Sequence, residues 1–323
     1  MISDLILDEI RRSTSILIAS HTQPDGDAIG SMLALGVALR SLGKKATLYN
    51  ESTTPAIFRF LPSVNLIVDH AGDMSDYDLA IILDCGDIQR IGKLCDDIEK
   101  VQAVINIDHH ITNTNFGTYA HVDGQACATA EIIYNLIVAL GAPIDKTIAT
   151  AIYTAILTDT GSFMFQNTNT AAFSISSEMV EKGADPYTIA QFVYATYSLG
   201  RLKLLNMVLD TIDISGNGKL STMFLSQRMM METGTKLDDI YGLVNYAKHI
   251  EAVQVAALIR ETHVGINGKG IYHVSLRSSG EVDVSQIAAR LGGGGHHNAA
   301  GFKIEGISLS ELKRSIFSLA ETL

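Results

Sequence analysis

The sequence has few cysteines and no long apolar run, and each shortage removes a class of protein. Cys85, Cys95 and Cys127 fit neither a disulfide framework nor the paired spacing of a zinc site. We therefore expect small buried thiols in a reducing compartment. No apolar run reaches the roughly 18 residues of a membrane-spanning helix, and the N-terminus lacks a signal-type leader. The sequence predicts a cytoplasmic protein without a membrane partner.

Basic residues are also scarce. Lysine and arginine number 24 against 35 aspartates and glutamates, which gives a formal net charge of −11. A protein that grips long nucleic acid needs a basic track, so we expect no long nucleic acid as partner. A small anionic substrate stays open, because metal ions held by carboxylates can make a site locally positive. A chain of 323 residues, 47% of them apolar, is expected to form about two globular domains.

Apolar runs alternate with helical patterns over residues 1–190. Strands are predicted at 15–20, 45–50, 79–83 and 103–107, and helices at 1–14, 28–39, 129–140 and 146–157. Such alternation is typical of an α/β fold with a mostly parallel sheet covered by helices on both faces.

The pattern changes near residue 190. Residues 191–212 predict a helical connector, and short strands follow at 220–225, 253–260 and 271–277. A glycine-rich turn at 265–270 separates the last two strands and predicts a hairpin. We interpret residues 213–323 as a second, smaller α+β domain.

The stretch 21–31 reads HTQPDGDAIGS and links the first predicted strand to a helix. It places one imidazole, His21, and two carboxylates, Asp25 and Asp27, in a single turn. Such a turn lies at the carboxyl edge of the sheet, where open α/β folds place ligands. Two close carboxylates repel each other unless a cation or a proton intervenes. The alternative is an ordinary helix start, with one of the two aspartates as N-cap.

Further acidic and imidazole residues follow other predicted elements. They are Asp84 after strand 79–83, Asp108, His109 and His110 after strand 103–107, and Asp159 after helix 146–157. Taken singly, each could be a cap, a core histidine or a turn residue. Taken together they are several charges in apolar surroundings, which is costly unless a metal ion balances them. Carboxylates with imidazole and no thiolate favour manganese or magnesium over structural zinc.

These motifs carry a resemblance to a known family. HTQPDGDAIGS, LDCGD, IDHH and TDTGSF, in this order, resemble the motifs of the DHH phosphoesterases, and LGGGGHHNAAGF at 291–302 resembles the glycine-rich motif of the DHH-associated domain. The two-domain layout is most similar to the branch of oligoribonucleases that also dephosphorylate 3′-phosphoadenosine 5′-phosphate (pAp). The resemblance implies hydrolysis of short oligoribonucleotides and pAp by two-metal activation of water. It implies two Mn²⁺ ions, with Mg²⁺ or Co²⁺ as alternatives.

The resemblance also implies a role for each motif residue. One ion would be held by His21, Asp25 and Asp84, and the other by Asp27, Asp84, His109 and Asp159. The implied catalytic residues are Asp84, Asp108, His109 and His110. Among these, Asp84 would bridge the ions, Asp108 would orient neighbouring ligands, and His110 would contact the substrate phosphate. Met164 departs from the family pattern, since relatives often carry a basic residue there.

A second group of residues is expected to bind substrate from the C-terminal domain. It contains Arg277, Gly293, Gly294, Gly295, His296 and Asn298, with His110 from the first domain. Glycine backbone can approach an anion closely, and arginine can bind phosphate with two hydrogen bonds. The alternative is a flexible glycine turn with incidental histidines. His297 stands where relatives often carry lysine.

Other functions stay open at this point. Relatives of similar layout cleave cyclic di-AMP or its linear product pApA, and a non-catalytic nucleotide-binding regulator could retain the fold. A regulator would have lost metal ligands, whereas here every ligand of the family pattern is present. The sequence does not rank nucleotide substrates. It also leaves the oligomeric state open, with a homodimer as one option.

Overall fold

The chain forms two compact units, Met1–Thr196 and Tyr197–Leu323. The structure is a computed structural model and describes residues 2–98, 100–264, 269–295 and 297–319. Most of the segment 191–212 belongs to the second unit, where the side chains of Leu204 and Val208 are fully buried. In the described ranges, no helix is long and apolar enough to cross a bilayer.

The described part of the first unit contains one six-stranded sheet. Its strands are β1 (Ser15–Ser20), β2 (Lys45–Tyr49), β3 (Ile67–Val68), β4 (Leu79–Leu83), β5 (Ala103–Asp108) and β6 (Tyr119–Val122). They lie in the order β3-β2-β1-β4-β5-β6, and every pair of neighbours is parallel. The predicted parallel sheet is confirmed.

Helices cover this sheet on both faces. They are α1 (Asp4–Arg12), α2 (Gly26–Ser41), α3 (Cys95–Ile98), α4 (Thr129–Leu140), α5 (Lys146–Asp159), α6 (Thr170–Glu181) and α7 (Pro186–Ala190). Successive side chains of a strand point to opposite faces. Accordingly Ile16 and Ile18 of β1 pack in the core formed with α2, α4 and α5, while Leu17 and Ala19 pack in a second core with Ile98. Burial on both faces explains why the central strands are continuous apolar runs.

The register of the central strands aligns their carboxyl ends. Ser20 of β1 pairs with Leu83 of β4, and Leu83 pairs with Ile107 of β5. The residues that follow these three are His21, Asp84 and Asp108. The apolar pairing of the strands therefore places the polar motif residues side by side at one edge of the sheet.

The second unit has a mixed sheet, which confirms the predicted α+β class. Its strands are β7 (Asp213–Ile214), β8 (Leu220–Leu225), β9 (Val255–Val264), β10 (Gly270–Ser278), β11 (Gly294–Gly295) and β12 (Ala299–Ile307), and its helices are α8 (Leu199–Leu209), α9 (Gln227–Thr233), α10 (Val244–Lys248), α11 (Val284–Arg290) and α12 (Leu309–Leu319). The strand order is β11-β12-β10-β9-β8-β7. Among the described strands of this second sheet, only β8 and β9 pair in parallel. The predicted antiparallel pair β9–β10 is present, and residues 265–268 of its turn lie outside the described residues.

Helices α2 and α5 approach each other closely at Gly30. A Cβ atom at this position would lie 2.5 Å from the carbonyl oxygen of Ala151 and 2.8 Å from the Cβ of Ala155. Both values are shorter than real Cβ contacts allow, and neither neighbour can rotate away. Gly30 thus permits the helix contact that holds the start of α2 against the sheet.

We expect Gly30→Ala to lower the free energy of unfolding by about 1–3 kcal/mol, because the added methyl overpacks a helix contact. Alanine's higher helix propensity, worth about 1 kcal/mol, offsets only part of this loss. Urea unfolding followed by circular dichroism measures the change. Gly216→Ala is the control, since its Cβ would meet no atom within 4 Å. An equal loss in both variants would contradict the close α2–α5 contact.

Candidate metal centre

Seven of the predicted site residues lie together at the carboxyl edge of the first sheet. Their ligand atoms form three groups, each within 4.8 Å: His21, Asp25 and Asp84; Asp84, His109 and His110; and Asp27, His109 and Asp159. Asp84 belongs to two of these groups, and His109 also belongs to two. The groups therefore form one continuous cluster, and it contains every residue predicted as a metal ligand.

Asp84 occupies the centre of the cluster in an unusual conformation. Its backbone φ is +52°, in the left-handed region that non-glycine residues rarely adopt. Its Oδ2 lies 3.6 Å from Nε2 of His21, while its Oδ1 lies 3.6 Å from Nδ1 of His110 and 3.8 Å from Nε2 of His109. The two carboxylate oxygens thus face different ligand groups, which is the arrangement that a bridging ligand requires.

Separations around His109 fit a shared cation better than direct hydrogen bonds. Its Nε2 lies 3.9 Å from Asp27 Oδ2, 3.8 Å from Asp84 Oδ1 and 3.7 Å from Asp159 Oδ2. A hydrogen bond spans only about 2.7–3.2 Å. Ligand atoms that each lie about 2.1 Å from one divalent ion are separated by roughly 3 Å at right angles and by up to about 4.2 Å on opposite sides of the ion. The residues present therefore fit a metal centre of oxygen and imidazole ligands.

Asp27 is held by the first turn of α4. Its Oδ2 accepts a hydrogen bond from the backbone N–H of Thr129 at 2.6 Å, and its Oδ1 accepts from Ala130 N–H and from the Ser31 hydroxyl, both at 3.0 Å. The N-cap residue of α4, Ala128, offers no side-chain acceptor. Asp27 consequently caps a helix that lies about a hundred residues further along the chain.

Asp25 has both of the roles that the sequence left open. It is the N-cap of α2, and its Oδ1 accepts from the backbone N–H groups of Asp27 and Ala28, each at 3.1 Å. Its carboxylate also belongs to the group with His21 and Asp84. Asp25 can cap the helix and also bind a metal ion, because both capping hydrogen bonds use Oδ1 and leave the other oxygen for the ion.

Asp108 lies beneath the cluster and orients its neighbours. Its Oδ1 accepts from Nδ1 of His110 at 2.6 Å and from the backbone N–H of His109 at 2.8 Å, and its Oδ2 accepts from the Asn113 amide at 2.6 Å. Since an ionised carboxylate only accepts, Nδ1 of His110 carries the proton in this bond. Asp108 thus holds the ring of His110 and the backbone of His109.

Asn106 is a neighbour of the cluster that the sequence analysis missed. Its amide nitrogen donates to the carbonyl oxygens of Ile82 and Cys85 at 3.3 and 3.1 Å. These two residues lie on either side of Asp84, so Asn106 supports the turn in which Asp84 has its positive φ. The available signal was a single polar residue inside the apolar run 103–107.

The electrostatics of the cluster show an excess of buried carboxylates. Burial and the charges of Asp84 and Asp159 raise the pKa of Asp27, and burial raises the pKa of Asp159 to about 7 although His109 opposes it. Burial also disfavours a charged His109, but the surrounding carboxylates outweigh it and raise its pKa to about 10. For Asp84, attraction to His21 and the other imidazoles overcomes burial and keeps the pKa below its usual range. The cluster therefore binds protons when no other cation balances its negative charge.

Of the predicted substrate-binding residues of the second unit, those that the structure describes lie at one end of its sheet. Arg277 of β10 pairs with Ala299 of β12, and Ser278 N–H donates to the carbonyl of Asn298 at 2.9 Å. Gly294 and Gly295 form β11 beside β12. A Cβ at Gly293 would lie 2.1 Å from the carbonyl oxygen of Gly301. Part of the glycine segment is thus an ordered strand rather than a flexible turn. His296 lies outside the described residues.

Comparison with known proteins decides the family. The family model of the DHH family, N-terminal domain, matches residues 15–156, and that of the DHHA1 domain matches residues 219–322. The chain belongs to the DHH family. This confirms the predicted family, and with it the prediction of a hydrolase of the phosphoesterase type.

Similar proteins cover nearly the whole chain. The bifunctional oligoribonuclease and PAP phosphatase NrnA of Thermus thermophilus is 36% identical over 299 residues, which are 92% of this chain and 86% of the relative. The cyclic-di-AMP phosphodiesterase PdeA of Listeria monocytogenes is 22% identical and matches over 49% of its own length. An exopolyphosphatase-related protein from Bacteroides fragilis has a TM-score of 0.88 and 29% identity, covering 98% of this chain and 95% of that one.

Metal binding is expected to release protons and to weaken throughout a fall in pH from 8 to 6. The raised pKa values of Asp159, about 7, and His109, about 10, mean that both groups hold protons near neutrality when no metal is bound. A divalent ion must displace these protons, so its affinity falls by up to about tenfold per pH unit for each proton released. Calorimetric titration with Mn²⁺ between pH 6 and 8, in buffers of different ionisation enthalpy, measures affinity and proton release together. Asp159→Asn should remove the part of the pH dependence of Mn²⁺ affinity that is centred near pH 7. An affinity that does not change with pH in the wild type would contradict the electrostatic account.

Proposed function

We propose that this protein is a manganese-dependent phosphoesterase that hydrolyses short oligoribonucleotides and pAp. The observation that carries the proposal is the placement of the two oxygens of Asp84, which face different groups of ligands at the edge of the sheet. The similarity to NrnA of Thermus thermophilus over 92% of the chain supports the substrate class.

Two ions would be held by the residues of the cluster. We assign one to His21, Asp25 and Asp84, and the other to Asp27, Asp84, His109 and Asp159. When bound, divalent ions supply Lewis acidity toward water and the phosphoryl oxygens. Carboxylate and imidazole donors without thiolates suit Mn²⁺ and Mg²⁺.

The remaining motif residues would position the substrate. Asp108 fixes the ring of His110 through Nδ1, and we assign a contact with the substrate phosphate to Nε2 of that ring. Arg277 would bind a second phosphate or the sugar through its guanidinium, and the backbone of Gly293–Gly295 would approach the nucleotide closely. An acidic chain that binds its substrate through a few such groups suits short nucleotides rather than long strands.

Cyclic di-AMP or pApA is the alternative substrate, and the similarity to PdeA supports it over only half the length of that relative. A non-catalytic regulator is disfavoured, because all six predicted ligands are present and lie in one cluster. Purified protein with Mn²⁺ can be tested in parallel against pAp, a diribonucleotide, cyclic di-AMP and pyrophosphate. Preferred hydrolysis of cyclic di-AMP would replace the proposed substrate with the alternative.

Asp84→Asn is expected to lower kcat for pAp by several orders of magnitude with the fold retained, because the amide removes the charge shared by both ion positions. Manganese-supported turnover, with circular dichroism as the folding check, measures the effect. Asp87→Asn is the matched control, since Asp87 lies in the same turn and caps a short helix. A loss below about tenfold in Asp84→Asn, or roughly 1.4 kcal/mol of barrier, would remove the bridging role.

Arg277→Ala is expected to reduce kcat/KM strongly for pAp and dinucleotides but less for bis-p-nitrophenyl phosphate. The small ester lacks the distant groups that Arg277 would bind, whereas binding energy from those groups can also raise kcat for nucleotides. The ratio of kcat/KM values for the two substrates is the measurement. Arg290→Ala, an exposed arginine of α11, serves as control. An equal loss for both substrates would show that Arg277 is not a recognition residue.

A further inference from the structure

Thr129 connects two residues of the cluster that come from different parts of the chain. It is the first residue of α4, and its side chain is fully buried. Its backbone N–H donates to Oδ2 of Asp27 at 2.6 Å, and its hydroxyl donates to Oδ1 of Asp84 at 3.2 Å. One residue thus holds a carboxylate from the β1–α2 turn and a carboxylate from the end of β4.

The hydroxyl of Thr129 does not have the usual role of threonine at a helix start. A threonine N-cap accepts a hydrogen bond from a backbone N–H one turn further on. In α4 the N-cap is Ala128, and the carboxylate of Asp27 accepts the N–H groups of Thr129 and Ala130 instead. Since Asp27 supplies the acceptor, the hydroxyl of Thr129 is available to donate to Asp84. The cap and the cluster are therefore one hydrogen-bonded unit.

The direction of this hydrogen bond matters for Asp84. An ionised carboxylate only accepts, so the threonine hydroxyl is the donor. The Oδ1 atom that it contacts is also the one that faces His109 and His110, whereas Oδ2 faces His21. The bond thus restrains rotation of the carboxylate about its Cβ–Cγ bond, and that rotation decides which oxygen faces which group. Residues that orient metal ligands in this way commonly affect affinity by about 10–100-fold.

We propose that Thr129 is a positioning residue that fixes the carboxylates of Asp27 and Asp84 relative to each other and so prepares the two metal positions. The proposal rests on the metal dependence given under the proposed function. Thr129 contacts no substrate in this account. It acts through Asp84, and its contribution lies in metal affinity and kcat rather than in the KM for nucleotide.

Thr129→Val tests the proposal, because valine keeps the shape and the backbone N–H and removes only the hydroxyl. Calorimetric titration of the metal-free variant with Mn²⁺ should show affinity about 10–100-fold weaker than that of the wild type. At saturating Mn²⁺ the kcat for pAp should fall while KM changes little. Thr129→Ser restores the hydroxyl and should return the affinity to within about threefold of the wild type, by the same reasoning on ligand orientation.

Thr154→Val is the matched control. Thr154 is fully buried in α5, and its hydroxyl donates to the carbonyl of Thr150 in the same helix at 2.8 Å. The control loses one buried hydroxyl without touching the cluster, so its stability should fall and its Mn²⁺ affinity should not. If Thr129→Val does not fold, Thr129→Ala against Thr154→Ala gives the same comparison.

The outcomes separate this inference from the proposed function. Wild-type affinity for Mn²⁺ in a folded Thr129→Val protein would overturn the inference and leave the metal-dependent phosphoesterase intact. Weaker binding in both the Thr129 and the Thr154 variants would also overturn it, since the effect would then be one of general stability. Wild-type protein that binds no Mn²⁺ would overturn both.

Discussion

Repulsion among buried carboxylates is the constraint on which the candidate centre depends. Asp27, Asp84 and Asp159 lie around one imidazole; the first two are buried, and the side chain of Asp159 is 21% exposed. Burial, and after it the negative charge of the neighbouring carboxylates, raises the pKa values of Asp27 and Asp159 and makes the cluster take up protons or a cation. Such an arrangement costs stability and persists only because the surrounding structure holds it in place. The register of the three central strands and the capping of α4 supply that support.

Support for Asp84 comes from several elements at once. Its backbone N–H donates to the carbonyl of Ile107 at 3.0 Å, Asn106 bonds the carbonyls on either side of it, and Thr129 bonds its carboxylate. A positive φ at a non-glycine residue costs on the order of 1–3 kcal/mol. These hydrogen bonds from β5 and α4 oppose that cost. In this conformation the two carboxylate oxygens face different ligand groups.

The sequence was sufficient for the parts of the fold and site that follow from local pattern. Apolar runs located β1, β4 and β5, and the rule that parallel strands end at one edge predicted that Asp84 and the residues of the opening turn would meet. The edge strands β3 and β6 were missed because a short, half-exposed strand has no continuous apolar run. Asn106 and Thr129 were also missed. Their contacts join residues 21 to 102 positions apart, and no local pattern records such a pairing.

The hydrogen bonds of Asp27 and Thr129 link the folding of α4 to the chemistry of the site, because Asp27 caps the helix while Thr129 donates to Asp84. Because Asp27 caps α4 through backbone N–H groups, the helix itself requires a side-chain acceptor at this position, and here that acceptor is a carboxylate. The same carboxylate raises the charge density that a cation must balance, so the bonds that stabilise α4 also prepare the centre. Any cation that binds the folded cluster and not the unfolded chain then stabilises the whole first unit by mass action. The stability of this unit should therefore rise as a cation occupies the centre. The acidic residues that make the metal-free fold costly are the same ones that would attract the cation.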